Sequence, residues 1–388
     1  MQAKAAIYLD SNASAPLHPR VTRALLSFLG DASSLQANPS SLHSFGKKSR
    51  RLLENARDAV ARSIDADSNQ IVFTSSGTES NQTVIRAVFE PLFLLGRRPH
   101  WITTPIEHDS VLQMVDWLKA RGGSVSYLPV SSSGQLDIEA VKKHRTPETA
   151  LLSAIWVNNE TGTITDVSRL SAVAQAAKLP LHLDAAQAWG KVPVSLRELG
   201  ADWVTFSGHK IGALPGTGVL WARSSSNLSA QNSFLLGSQE KSRRGGTESL
   251  MGAIALGAAA TELNPQAWTL KLSKVRDELE SKILNQIPGS FVNGGGVRVA
   301  NTLNVGFEGA SNQRLLQDLD LSGFAVSAGS ACSSGLNQPS HVLIALGRSE
   351  AQALSSIRIS LGEDLLEGEW LEEFLAALSR SVGKMRQC

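Results

Sequence analysis

The sequence predicts an α/β protein, with a large domain on a mostly parallel sheet and a smaller α+β domain after it. Three observations carry this. From about residue 70 to 223, short apolar runs of strand length alternate with segments of helical period. Nearly every one of those runs stops at a polar cluster, and parallel strands present their carboxyl ends along one edge. After residue 262 the character changes to a charged amphipathic segment, 268–287, and a glycine-rich link, 288–296. The expected division is 16–262 for the large domain, with 1–15 and 263–388 forming the small one.

The chain has 388 residues, 42% of them hydrophobic, enough for a sizeable core. A net charge of +2 gives no global pull toward nucleic acid or an anionic membrane. The first ten residues do not read as a secretory leader, and no apolar run approaches the roughly 20 residues that span a bilayer. Cys332 and Cys388 are the only cysteines and make no disulfide framework. A cytoplasmic protein with no direct nucleic-acid or membrane partner is expected.

Residues 5–9 form a short apolar run ending in the polar loop Asp10–Pro16. Residues 20–30 look helical. Asn38-Pro39-Ser40-Ser41 introduces a longer helix in which Leu53, Ala56, Val60 and Ile64 make one buried stripe. The basic run Lys47–Arg51 reads as its solvated first turns rather than a nucleic-acid patch. Strand 70–74 runs into Ser75-Ser76-Gly77-Thr78-Glu79-Ser80-Asn81 and then a helix. That order builds a phosphate cup, because free N–H groups at a helix start point at an anion. It equally makes a ligand-free N-cap with a carboxylate in the first turn.

Strand 101–105 ends at Glu107-His108, strand 149–157 at Asn158–Gly162, and 125–129 lies between them. Helices are expected at 137–144 and 166–178. The runs 179–183 and 203–206 end at Asp184-Ala185-Ala186-Gln187 and at Ser207-Gly208-His209-Lys210. An acid and an amine delivered to one sheet edge suit pyridoxal phosphate (PLP): the lysine forms a Schiff base, and the carboxylate keeps the pyridine nitrogen protonated. An Asp–Lys ion pair at the sheet rim would give the same pattern. His108 reads either as a ring that stacks on the cofactor or as a satisfied polar residue.

Strand 219–222, helix 248–262, helix 268–287, strand 300–307, helix 311–319 and strands near 324–327 and 356–361 complete the elements. Ser327–Gly335 carries almost no side chain to pack, so Cys332 has the setting of an exposed reactive thiol rather than a structural one. Arg358, on an apolar strand, either holds a substrate carboxylate in the interdomain cleft or faces solvent.

In order, Tyr8-Leu9-Asp10, Asn38–His43, Ser76–Asn81, Glu107-His108, Val157–Gly162, His182–Gln187, Ser207–Lys210, Gly246-Thr247-Glu248 and Gly329–Cys332 resemble the cysteine desulfurases. These belong to the class V group of fold-type I PLP-dependent transferases. Ser-Gly-His-Lys in register with Asp-Ala-Ala-Gln marks class V. Gly-Ser-Ala-Cys narrows the likeness to desulfurases with a long mobile cysteine loop, here about 327–341. The sequence departs from the family at Ser11–Ala15, at Gly212–Pro215 and at Leu236–Gln239.

The resemblance implies conversion of L-cysteine to L-alanine with a persulfide on Cys332, passed to a sulfur-acceptor protein such as an iron–sulfur scaffold or thiolation protein. It implies a homodimer with its sites at the interface. It makes Lys210 the PLP lysine and proton shuttle, Asp184 the pyridinium partner, Gln187 the donor to the ring oxygen and His108 the stacking residue. Gly77, Thr78, Ser207 and His209 would hold the phosphate, with Thr247 from the other subunit. Asn159 and Arg358 would bind the substrate carboxylate, and no metal site is implied. A selenocysteine lyase, a class V aminotransferase and a non-catalytic sulfur-relay protein are the alternatives. A nicotinamide enzyme is disfavoured because no Gly-x-Gly-x-x-Gly follows the first strand.

Overall fold

The first elements are a two-residue strand, β1 (Ile7–Tyr8), and two helices, α1 (Pro19–Gly30) and α2 (Ser44–Ser63). This computed structural model describes residues 6–30, 37–224, 235–329, 338–366 and 370–387. Then β2 (Ile71–Thr74), α3 (Gly77–Leu94), β3 (His100–Thr103) and α4 (Asp109–Lys119) follow. Next are β4 (Ser124–Tyr127), α5 (Ala140–His144), β5 (Thr149–Ile155), α6 (Val167–Ala176) and β6 (Leu181–Asp184). β7 (Trp203–Ser207) and β8 (Gly218–Ala222) complete a seven-stranded sheet of order β2-β8-β7-β6-β5-β3-β4. β8 alone is antiparallel to its neighbours, so β2, β3, β5, β6 and β7 all end on one edge.

The strands on that edge are buried over most of their length, as expected for a sheet covered on both faces. A single turn, α7 (Gln239–Ser242), leads to α8 (Leu250–Ala260), an Ala/Gly/Leu helix that packs on α1 and α2. The approach is close enough that a Cβ on Gly257 would stand 2.8 Å from the Ala56 Cα. The stripe Leu53, Ala56, Val60 and Ile64 is buried, and these residues join the cluster that covers the sheet.

The remainder is α9 (Pro265–Gln286), β9 (Ser290–Val292), β10 (Thr302–Phe307), α10 (Asn312–Leu321) and β11 (Phe324–Ala325). After these come α11 (His341–Ala345), α12 (Glu350–Leu354), β12 (Ser356–Ser360) and α13 (Trp370–Arg386). β12, β10 and β9 form an antiparallel sheet, and β1 pairs with β11. Leu9 joins Leu272, Ile283, Val305, Phe307, Ile359 and Phe374 in a second core, so the amino-terminal strand packs with the carboxy-terminal third. The sequence reading assigns no helix to 109–119 or 370–386, where α4 and α13 lie. Among the described residues no helix is long and apolar enough to cross a membrane.

Candidate active site

All five polar clusters at the strand ends converge on one cleft of about 350 Å³. Ser76, Gly77, Thr78 and Asn81 come from the start of α3, and Glu107 to Ser110 from the end of β3. Asn159 and Glu160 follow β5, Asp184 and Gln187 follow β6, and Ser207, His209 and Lys210 follow β7. Asn12, Gly329, His341 and Arg358 close the cleft from the second core's side. Parallel strand ends explain why segments so distant in sequence meet there.

Asp184 is 4% exposed. Its Oδ1 accepts the Ala186 N–H at 3.0 Å, and its Oδ2 accepts from Asn81 Nδ2 at 2.8 Å. The same Asn81 amide donates to Ser110 Oγ at 2.9 Å, and that hydroxyl lies 2.8 Å from His108 Nδ1. The Ser110 backbone N–H also donates to His108 Nδ1. A backbone N–H only donates, so the neutral ring carries its proton on Nε2. Burial holds the His108 pKa below the usual imidazole value, so His108 is a neutral N–H donor to the cleft. Beside it, burial pushes the Glu107 carboxyl up to about 8, and it accepts from Thr104 Oγ1 and Ile155 N.

Lys210 lies in a short 3₁₀ turn, Gly208–Ile211, that follows β7. Its Nζ donates to the carbonyls of Asn12 and Ala13 at 2.7 and 2.8 Å. Burial, with Lys210 and His108 nearby, lowers the His209 pKa to about 4, so this ring is also neutral near pH 7. Gln187 Nε2 donates to the Asn12 carbonyl at 2.9 Å. The amide thus turns its donor side, not its oxygen, toward the cleft side of the loop.

At Ser76–Asn81 the structure shows the N-cap reading. Ser76 caps α3 by accepting the Glu79 N–H, and Glu79 reaches back to Ser75 and pairs with Arg244. The cap uses the Glu79 amide and leaves those of Gly77 and Thr78 at the helix start beside Ser207. Thr247 does not reach this cleft within the chain: it lines a separate depression with Glu240, Arg244 and Glu248.

Arg358 is 2% exposed, which closes the solvent-facing alternative. Its Nη1 donates to the carbonyls of Asn159 and Gly329, its Nη2 to Asp10 Oδ1, and its buried Nε has no partner among the described residues. Gly329, at φ +106, lies so near Glu160 that a Cβ would sit 2.6 Å from Oε2, and Ser340 Oγ donates to that same oxygen. Both flanks of 330–337 therefore end at the cleft, while Cys332 and Cys388 lie outside the described residues.

The sequence reading used Asn81 only as part of the motif Ser76–Asn81 and gave it no role, although it stands four residues after Gly77 and so on the same face of α3. It used Asn12 only as part of a motif. That residue's Nδ2 donates to Asn159 O and Thr302 Oγ1, its N–H to Ser360 Oγ, and its Oδ1 accepts from Asn301. Nothing in the pattern singles out Lys191, Glu160 or His341.

A family model, aminotransferase class-V, matches residues 7–366. A cysteine desulfurase from Nostoc sp. (strain PCC 7120) is 37% identical over 98% of this chain and 94% of its own. A solved NifS-like protein superposes with a TM-score of 0.87 at 29% identity, covering 99% of this chain and all of its own. SspA, solved in complex with cysteine, gives 0.78 at 32% identity over 91% of this chain and 98% of its own. With its cleft built from those strand ends, the chain belongs to the cysteine desulfurase family of the class-V aminotransferases.

Proposed function

We propose that this protein is a PLP-dependent cysteine desulfurase that moves the sulfur of L-cysteine to Cys332 and releases L-alanine. The observation that carries the reading is that Asp184 and Lys210, from adjacent strands, share one cleft with the start of α3. The cofactor fits this donor set. Each Asp184 oxygen keeps a lone pair beyond its one hydrogen bond, enough to accept a pyridine N–H. The Gly77 and Thr78 amides, Ser207 and His209 would take the phosphate, Lys210 the covalent link, and Gln187 Nε2 the ring oxygen. Bound PLP supplies the electron sink that weakens first the substrate Cα–H bond and then Cβ–Sγ.

The rest is done by the chain. Arg358 and Asn159 would orient the substrate carboxylate, with the unpartnered Nε as an available donor. Lys210, once its amine is free, takes the Cα proton. The Cys332 thiolate attacks the substrate sulfur: an S–S bond forms, Cβ–Sγ breaks, and its electron pair remains on Cβ. A proton delivered there completes the alanine methyl, and His108 Nε2–H is positioned to donate toward the cleft. The sum is L-cysteine plus enzyme thiol giving L-alanine plus enzyme persulfide. We place the enzyme in the cytoplasm as a homodimer that hands this sulfur to an acceptor protein. Thr247 of the partner subunit would complete the phosphate site, a reading supported by Thr247 lining a different depression of its own chain.

Replacing Lys210 with alanine tests the cofactor assignment. The variant should lose the visible absorbance of lysine-bound PLP and about 10³-fold or more of its alanine formation. An unchanged spectrum would remove Lys210 from this role.

A further inference from the structure

Lys191 is a buried amine that the reaction above does not use. It follows β6 by seven residues and is 7% exposed. Its Nζ donates to Asn12 Oδ1 at 2.6 Å and to Gln187 Oε1. Both amide orientations are dictated by their other partners. Asn12 Nδ2 faces the Asn159 carbonyl and Gln187 Nε2 faces the Asn12 carbonyl; carbonyls only accept, so each amide must turn its oxygen to Lys191. The charged groups that bear on Lys191 are cations, Lys210 after β7 and Arg358 on β12. The carboxylates of Glu262, Glu363 and Asp364 and the ring of His18 line the neighbouring cavity with it, and none accepts from it. A lysine buried without a carboxylate is costly, so its retention needs a reason.

We propose that Lys191 is a positioning residue for the cofactor site. From behind the cleft it holds the Asn12 and Gln187 oxygens, which aims the Gln187 N–H at the PLP ring oxygen and the Asn12 main-chain carbonyl at Lys210. This rests on reading the cleft as a PLP site. Without Lys191 the Gln187 amide keeps only its bond to the Asn12 carbonyl, so its N–H is aimed less firmly and its oxygen can turn toward the ring oxygen. The cofactor then loses a hydrogen bond to its deprotonated form, and the proton on the lysine–PLP link is held more tightly.

The test uses PLP-loaded parent, Lys191→Met and Lys191→Gln, the last keeping N–H donors. Three readouts are taken: the pH midpoint of the visible band, the rate of PLP release on dilution, and thermal unfolding of the cofactor-free proteins. Lys191→Met should raise the midpoint by about one pH unit and release PLP about ten-fold faster. Lys191→Gln should release PLP within about three-fold of the parent, since it can still satisfy both oxygens. Parental midpoint and release rate in Lys191→Met would overturn the proposal, and so would lowered unfolding temperatures in both variants with unchanged spectra. A parent that takes up no PLP would overturn the reading of the cleft itself, an outcome distinct from a silent substitution.

Discussion

At the scale of single residues, His182 shows how burial at the sheet edge becomes a pH dependence. It precedes Asp184 by two positions on β6, donates or accepts at Thr205 Oγ1, and has a buried Nδ1 with no partner among the described residues. Burial lowers its pKa to about 4, against an opposing pull from Asp184. Because the folded value lies below the unfolded one, its stabilising contribution is full above about pH 6.5 and is lost as pH falls toward 4. The loss is on the order of 3 kcal/mol. His182→Gln should therefore flatten the fall in unfolding free energy between pH 6.5 and 4, and a fall parallel to the parent's would contradict this. The acid and amine of the site were legible because each ends an apolar run. Lys191 was not, since a lone lysine ordinarily goes to solvent and only the fold reveals two amide oxygens waiting for it.

Among the elements, strands were legible as apolar runs closed by polar residues, and α2 by its stripe. α4 escaped although Val111, Met114, Val115 and Leu118 recur at helical spacing, because its cap is His108 rather than the usual Ser, Thr, Asp or Asn. α13 is preceded in the sequence by Gly368-Glu369, without a Ser, Thr, Asp or Asn to mark a helix start. In the sequence Gly237–Thr247 is a polar stretch rich in glycine, arginine and serine, with no helix marked in it. In the structure α7 carries Glu240, Lys241 and Ser242 at φ of 47, 58 and 62, a run of left-handed backbone without glycine. It is held by a buried pair: Arg57 Nη1 and Nη2 each lie 2.7 Å from a Glu240 oxygen, and the guanidinium stacks 4.7 Å from the Phe73 ring. Glu240→Ala leaves the buried Arg57 with only the half-exposed Glu54 and the Ile71 carbonyl as partners among the described residues, and should cost about 3 kcal/mol in urea unfolding. Glu240→Gly loses the same pair but relieves the backbone, so it should be about 1 kcal/mol less destabilised than the alanine variant. Both variants unfolding like the parent would contradict the role of this anchor.

For the whole molecule, two hydrophobic clusters lie on either side of the cleft, and Asn12 joins them: it bonds Asn159, Gln187, Lys191 and Lys210 on one side and Thr302, Ser360 and Asn301 on the other. A sequence pattern could show the change of character after residue 262 but not this pin, which depends on the amino terminus returning to pair β1 with β11. The proposed homodimer predicts a single species of twice the chain mass in sedimentation; a monomer that binds PLP and forms alanine at full rate would contradict it. The account as a whole turns on where the sulfur goes. Incubating the PLP-loaded protein with L-cysteine and mapping its peptides by mass should give one extra sulfur atom on Cys332 and an equal amount of L-alanine, with Cys332→Ala retaining the visible spectrum but losing both. Alanine formed at the parental rate by Cys332→Ala, or sulfur found on no cysteine of the parent, would contradict it.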